Sequence, residues 1–198
     1  MKNKTSENQP LDAVNRSKAG HYELLGETYA KFEFFENGWN PYSRFLDVDK
    51  VDLILRRSSN GKTIYREVQV KYGKLYDVGS AWEKELFDVS SWRFFKEDEF
   101  KDSIKRSDFY IAYVLAHDIG YRGDIFIFPV KDFVHIIKQA IPVTSREGLR
   151  KVYISHLKSD RNKWLLRKKN RFYEIMDEST LDVSNYRRNF GCLMARSL

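Results

Sequence analysis

Glu67, Gln69 and Lys71 alternate with valines in the segment Glu67-Val68-Gln69-Val70-Lys71, so in an extended chain the three polar side chains share one face and the valines the other. A second apolar run, Val51-Asp52-Leu53-Ile54-Leu55, carries an acid at its start and leads to the first through the turn residues Ser58-Ser59-Asn60-Gly61. If the two runs pair as a hairpin, Asp52 at the start of one strand comes near Lys71 at the end of the other. A carboxylate, further oxygen ligands and an ammonium then stand at one rim, which is the makeup of a metal-dependent phosphodiesterase site. Taken singly, Asp52 reads as a strand-initiating acid that caps a turn or pairs with Lys50 or Arg66, and Lys71 as a solvated strand end. Their joint placement is what points to chemistry. Asp47 and Asp49 also precede the first strand, but Asp52 is the acid that adjoins the Leu53-Ile54-Leu55 run.

The elements that must position these residues follow from periodicity. Residues 1–17 carry no periodic apolar pattern and are expected to form a loose tail. Leu25, Tyr29 and Phe32 recur at helical spacing, so a helix is expected over about 20–37, stopped by Asn37-Gly38, with Glu27 off that stripe on the side of Ala30 and Phe34. Strands are expected over about 39–46, 50–57 and 63–72. Residues 73–92 are ambiguous, and Trp92 to Lys105 reads as a helix or helical turn of mixed charge. Asp108 to Leu115 reads as a buried strand, Asp124 to Val130 as another closed by Pro129, and 131–140 resumes helical spacing. Beyond Pro142 the chain is more basic, with strands expected near 150–156 and 171–176.

Composition narrows the function. The chain has 198 residues, 42% of them hydrophobic, with 12 Tyr and 14 Phe, enough for one well-packed domain. Its 35 Lys and Arg against 28 Asp and Glu leave a net charge of +7, which favours a polyanionic partner. A single cysteine, Cys192, excludes an intrachain disulfide and a multi-cysteine zinc site, and it has no neighbouring histidine to activate it. His21, His117, His135 and His156 form no metal-binding spacing, and no Gly-x-x-x-x-Gly-Lys loop is present to cradle a nucleotide. No apolar run is long enough to span a membrane and Met1 to Pro10 is polar, so a cytoplasmic protein without membrane contact is expected.

With these residues in place, the chain resembles the PD-(D/E)xK nuclease superfamily, and most closely its bacterial branch whose third motif reads Gln-x-Lys. The resemblance rests on Gly26-Glu27 in the first helix, Val51-Asp52-Leu53-Ile54 as the acid-bearing strand and Val68-Gln69-Val70-Lys71 as the motif strand. It covers about residues 20–75 by motif and extends by element order to about 140. The chain departs from the family pattern in two ways: Gln69 replaces the usual acid of the last motif, and Val51 replaces the proline of the family name. Glu67, on the same strand face, is available to compensate for the first.

The resemblance implies a mixed α/β, restriction-endonuclease-like αβββαβ core over 18–140, with a central mixed sheet flanked by helices and a basic C-terminal extension (141–198) packed on it. It implies a Mg2+-dependent DNA endonuclease, with Mn2+ able to substitute and RNA left open as a substrate. Catalysis would fall to Glu27, Asp52, Gln69 and Lys71. The metal would be held by Asp52, Gln69, Glu67 and the carbonyl of Val70. Two symmetric sites suit cleavage of both strands, so a homodimer is compatible with this reading. The rivals are a weakly active or inactive nucleic-acid-binding module of the same fold, motivated by Gln69, and an interaction subunit of a nuclease-containing complex. A separate basic stretch, Lys158, Arg161, Lys163, Arg167, Lys168, Lys169 and Arg171, is interleaved with Trp164; its cations are expected to contact the nucleic-acid backbone, with Arg167, Lys168 and Lys169 exposed, while its aromatics read as core.

Overall fold

The computed structural model describes residues 11–43, 50–59, 61–117 and 120–194, which form a mixed α/β fold of three helices and ten strands. Helix α1 (Leu11–Glu36) starts inside the segment expected to be a loose tail; residues 1–10 lie outside the described residues. It ends where Asn37-Gly38 predicts. Gly38 adopts φ 78, and the Asn37 side chain donates to the Glu33 carbonyl at 2.8 Å, satisfying a last-turn acceptor. Its buried residues are Gly26, Ala30, Glu33 and Phe34; of the Leu25–Tyr29–Phe32 stripe, Tyr29 packs against the same cluster while Phe32 is 63% exposed. An apolar residue at helical spacing does not by itself say which side of the helix meets the sheet.

Strands β1 (Asn40–Ser43), β2 (Leu53–Ser59) and β3 (Lys62–Asp77) run antiparallel in succession, with Leu53 opposite Val68 and Ser59 opposite Lys62. The expected first strand extends to 46, but residues 44–49, Asp47 and Asp49 among them, lie outside the described residues. The chain then forms the short helix α2 (Ala81–Leu86) and strand β4 (Phe87–Lys96), so the helix expected over Trp92 to Lys105 is corrected in its first part. After β4 the chain makes a series of tight turns, in which Glu99, Lys101, Ser103 and Arg106 each donate to the carbonyl three residues back.

Strand β5 (Phe109–His117) pairs parallel to β3, placing Gln69 opposite Ile111 and Lys71 opposite Tyr113, and β6 (Gly120–Pro129) pairs antiparallel to β5. Nearly every β5 residue is buried, as expected of a strand covered on both faces. Helix α3 (Val130–Gln139) lays Val130, Phe133, Val134, Ile136 and Ile137 on that core. The basic C-terminal part adds β7 (Ile141–Pro142), β8 (Leu149–Leu157), β9 (Trp164–Arg167) and β10 (Thr180–Asp182), which extend the sheet from β4. No strand forms at 171–176. Val152, Ile154, Trp164 and Leu166 from this part share one hydrophobic cluster with Ile111, Tyr113, Phe126 and Phe133. Among the described residues no helix is long and apolar enough to cross a membrane.

Long strand β3 therefore serves two half-sheets, pairing with β2 and β5 along most of its length and with β4 at Leu75–Asp77. One face of it (Val68, Val70) packs with Ala30 and Phe34 of α1, and the other looks into the cluster built on β5 and α3. Gly73 sits at a close approach between the halves: a Cβ there would lie 2.6 Å from Ser91 Oγ, 2.7 Å from Leu115 and 2.8 Å from Tyr113 Oη. Gly73→Ala should therefore destabilise the fold by about 1–3 kcal/mol, although alanine suits a strand better than glycine. Urea denaturation checks this, and a variant as stable as the parent would show that the two half-sheets can separate freely at β3.

Candidate metal and phosphodiester site

The β2–β3 ladder stops at the pair Leu53–Val68, and Asp52 lies just beyond it. Its amide donates to the Val68 carbonyl at 3.0 Å, and its Oδ2 accepts the Val70 amide at 2.6 Å, so Asp52 bridges the backbone on both sides of Gln69. Here β2 leaves β3, and a carboxylate replaces the strand partner that the Val70 amide would otherwise lack. Alternation along β3 keeps Glu67, Gln69 and Lys71 on one face, as expected, and the register puts Asp52 across from Gln69.

Gln69 is 8% exposed, and its Oε1 has no hydrogen-bond partner among the described residues. Leaving such an acceptor buried and unmatched costs about 1–3 kcal/mol. Lys71 lies two residues on, with its ammonium 2.9 Å from Glu99 Oε1 and 5.7 Å from the Phe100 ring centre. Only 12% of the Lys71 side chain and 22% of that of Glu99 are exposed, so this ion pair is well shielded. Lys50 donates to the Glu99 carbonyl at 2.9 Å, which helps hold the turn against the rim. Glu99 is the site residue that sequence reasoning missed. It comes from an irregular turn with no motif spacing to Lys71.

The remaining expected residues fare differently. Glu67 sits opposite Ile54, is ion-paired with Arg106 and is thereby committed to the turn after β4. Val70 gives its amide to Asp52 and packs against the α1 face. Glu27 pairs with Lys31 one helical turn away, at 3.7 Å. Its helix lies across the opposite face of β3, where a Cβ on Gly26 would be 3.1 Å from that of Tyr72. The structure thus groups Asp52, Gln69 and Lys71 and leaves Glu27 on the far side of the sheet from Lys71. Among the described residues no three His, Cys, Asp or Glu side chains cluster as a metal site.

The basic stretch is corrected more sharply. Arg167 is fully buried, ion-paired with Glu83 of α2, and donates to Ser155 Oγ at 2.8 Å and Ser90 Oγ at 2.9 Å, with its guanidinium 3.9 Å from the Tyr153 ring centre. It fastens α2 to the sheet and is not presented to solvent. Lys158 is exposed and donates to the Lys84 carbonyl, Lys163 lies 4.0 Å from Asp182, and Lys168 donates to the Asp177 carbonyl. Arg161, Lys169 and Arg171 are exposed, the last stacked over Tyr173. Cys192 donates to the Asn189 carbonyl at 2.9 Å, and burial pushes its thiol up to about 12, which removes it as a nucleophile at neutral pH.

No family model matches the chain, no curated protein matches it, and no solved structure matches its fold.

Two outcomes are expected from these contacts. Asp52→Ala should lower stability by about 1.5–3 kcal/mol, because the Val70 amide loses a charged acceptor, whereas Asp52→Asn keeps an acceptor and should cost less. Equal urea midpoints for the two variants would show that this hydrogen bond does not hold the rim. The second outcome concerns Glu83. Burial raises its pKa, but hydrogen bonds from Ser80 and Arg167 and the Arg167 charge together hold the carboxyl below its ordinary 4.5. A carboxyl held low in the folded state stabilises above its unfolded pKa and loses that contribution as pH falls through the folded value. Glu83→Gln should therefore flatten the loss of stability below about pH 4.5, and Arg167→Ala should cost about 3–5 kcal/mol at neutral pH by stranding Glu83. A melting profile of Glu83→Gln that still parallels the parent in acid would remove this pair from the account.

Proposed function

We propose that the Asp52 rim is a divalent-cation site of a nuclease that hydrolyses nucleic-acid phosphodiesters, DNA first among them. The observation that carries the reading is Gln69 Oε1, a buried oxygen with no partner among the described residues, across from the Asp52 carboxylate and two residues from Lys71. A carboxylate and an amide oxygen are hard donors, so the set fits Mg2+, or Mn2+ in its place. Held there, such an ion supplies positive charge at a phosphoryl oxygen and a more acidic bound water.

The protein's own part is positional. Asp52 is fixed by the Val70 amide, so its second oxygen is oriented without further ordering. Lys71 offers an ammonium to a phosphate oxygen or to a proton in transit, and Glu99 holds that ammonium in place until a phosphate competes for it. The order β1-β2-β3-β5, with β3 and β5 parallel and a helix on the Val68–Val70 face, supports the restriction-endonuclease-like reading. Net charge +7 agrees with a polyanionic substrate. A dimer would bring one such site to each strand of a duplex. A second reading, a nucleic-acid-binding module without cleavage, is favoured by one feature, the shielded Lys71–Glu99 pair that occupies the lysine.

Relaxation of supercoiled plasmid separates the two. The nuclease reading expects nicking with Mg2+ or Mn2+ and none with EDTA, abolished by Asp52→Asn and lowered by about 10²–10⁴-fold in Lys71→Ala. Gln69→Glu should be tolerated, since a carboxylate binds Mg2+ better than an amide. Plasmid bound but never nicked by the parent protein would establish the second reading.

A further inference from the structure

The face of β3 that α1 covers at Val70 and Tyr72 continues past the helix into an outer surface shared with β4 and β8. The register places Trp92 opposite Tyr153 and Phe94 opposite Lys151, and Tyr76 opposite Ser90, so these side chains stand on one face of the sheet. The opposite face carries Val152 and Ile154 into the core. Outward positions on a half-buried sheet are ordinarily polar, yet Tyr76 is 42% exposed, Trp92 39% and Phe94 45%. The Trp92 and Phe94 rings meet edge to face at 5.4 Å, which holds both upright.

Cations are placed among these rings. Lys151 lies 4.7 Å from the Trp92 ring centre and 4.6 Å from that of Tyr153, and Lys74 lies 5.2 Å from that of Tyr76. Arg93, paired with Val152 and with its guanidinium over Phe95, belongs to the other face and reaches the Tyr72 carbonyl at 2.9 Å. Glu83, the carboxylate to which Tyr153 donates at 3.1 Å, is matched by Arg167 at the end that α2 covers. Between α1 and the sheet a groove of about 350 Å3 runs along Tyr22, Tyr72, Lys74, Tyr76, Trp92 and Arg93, with Glu23 on its helix wall. Tyr22 is stacked on Tyr72 at 5.2 Å, so its floor is aromatic as well.

Flat aromatic rings set in a positively charged sheet face offer two things at once: π-faces for bases and charge for the phosphates between them. A protein partner would be met by apolar side chains without that need for charge, and a duplex buries its base faces and leaves the rings nothing to stack on. We infer that this outer face of β3, β4 and β8 binds a single-stranded stretch of nucleic acid, with bases stacked on Tyr76, Trp92 and Phe94 and phosphates beside Lys74 and Lys151. The inference deepens the reading of a nucleic-acid substrate, but it needs neither the metal nor cleavage.

Fluorescence anisotropy in EDTA tests it without the Asp52 rim. A labelled oligothymidylate of about twenty nucleotides, longer than the roughly 4–16 that one such binding surface occupies, is titrated with the full chain beside an abasic strand of the same length and a duplex. Expected is binding of the thymidylate at least tenfold tighter than of the abasic strand. Trp92→Ala with Phe94→Ala should remove most of that difference, as a base stacked on an aromatic ring contributes about 1–3 kcal/mol, or 5–150-fold, each. Trp92→Phe keeps a ring and should retain most of the affinity, which separates stacking from loss of fold. Equal binding of the thymidylate and abasic strands, preference for the duplex, or an unchanged affinity in the folded double variant would overturn the inference. A nicking-competent protein that fails here keeps its metal site and loses only this surface.

Discussion

The hydrogen bond from the Val70 amide to Asp52 Oδ2, at 2.6 Å, is the constraint on which the rest of the site depends. It forms where β2 separates from β3 and a strand amide would otherwise point into a protein interior without an acceptor. The same contact fixes the Asp52 carboxylate, brackets Gln69 between two backbone bonds and sets the face on which Lys71 emerges. A structural duty and the proposed chemical one thus fall on a single side chain. That is why the bland reading of Asp52 as a strand-capping acid and the functional reading do not exclude each other.

The rim is built from both half-sheets. β3 is long enough to leave β2, run beside β5 and then pair with β4, and the turns after β4 fold back over the rim to deliver Glu99 and Arg106. Glu99 takes Lys71 and Arg106 is ion-paired with Glu67, so the turn answers the two outermost charges of the motif strand, while Gln69 Oε1 has no hydrogen-bond partner among the described residues. The C-terminal strands stabilise this arrangement from the same face of β3, through the cluster that joins Val152, Ile154 and Trp164 to Tyr113 and Phe133. Removing that support would loosen the site without touching any of its side chains.

How much of this can be read from the residues depends on how local the signal is. The Ser58–Gly61 turn flanked by alternating runs announces the β2–β3 hairpin, and Asn37-Gly38 announces the end of α1, because both are backbone requirements met within a few residues. The unbroken apolar run of β5 and the spacing of α3 are legible for the same reason. Strand β4 is not, since its outer face carries Trp92 and Phe94 where period-two alternation needs polar residues. Arg167 misleads because a guanidinium in a basic run is ordinarily solvated; the carboxylate that buries it, Glu83, is 84 residues away in sequence. The Lys71–Glu99 pair and the stranding of Glu27 behind the sheet are likewise properties of packing between distant segments.

The most direct measurement is calorimetric titration of Mn2+ into the chain and into Asp52→Asn, at matched folded fractions and without nucleic acid. Saturable binding is expected in the parent protein, weakened by about tenfold or more in Asp52→Asn, because the variant keeps an acceptor for the Val70 amide and loses the charge that draws the cation. Identical titrations of the two proteins, or no binding in either, would contradict the claim that Asp52 and Gln69 form a cation site.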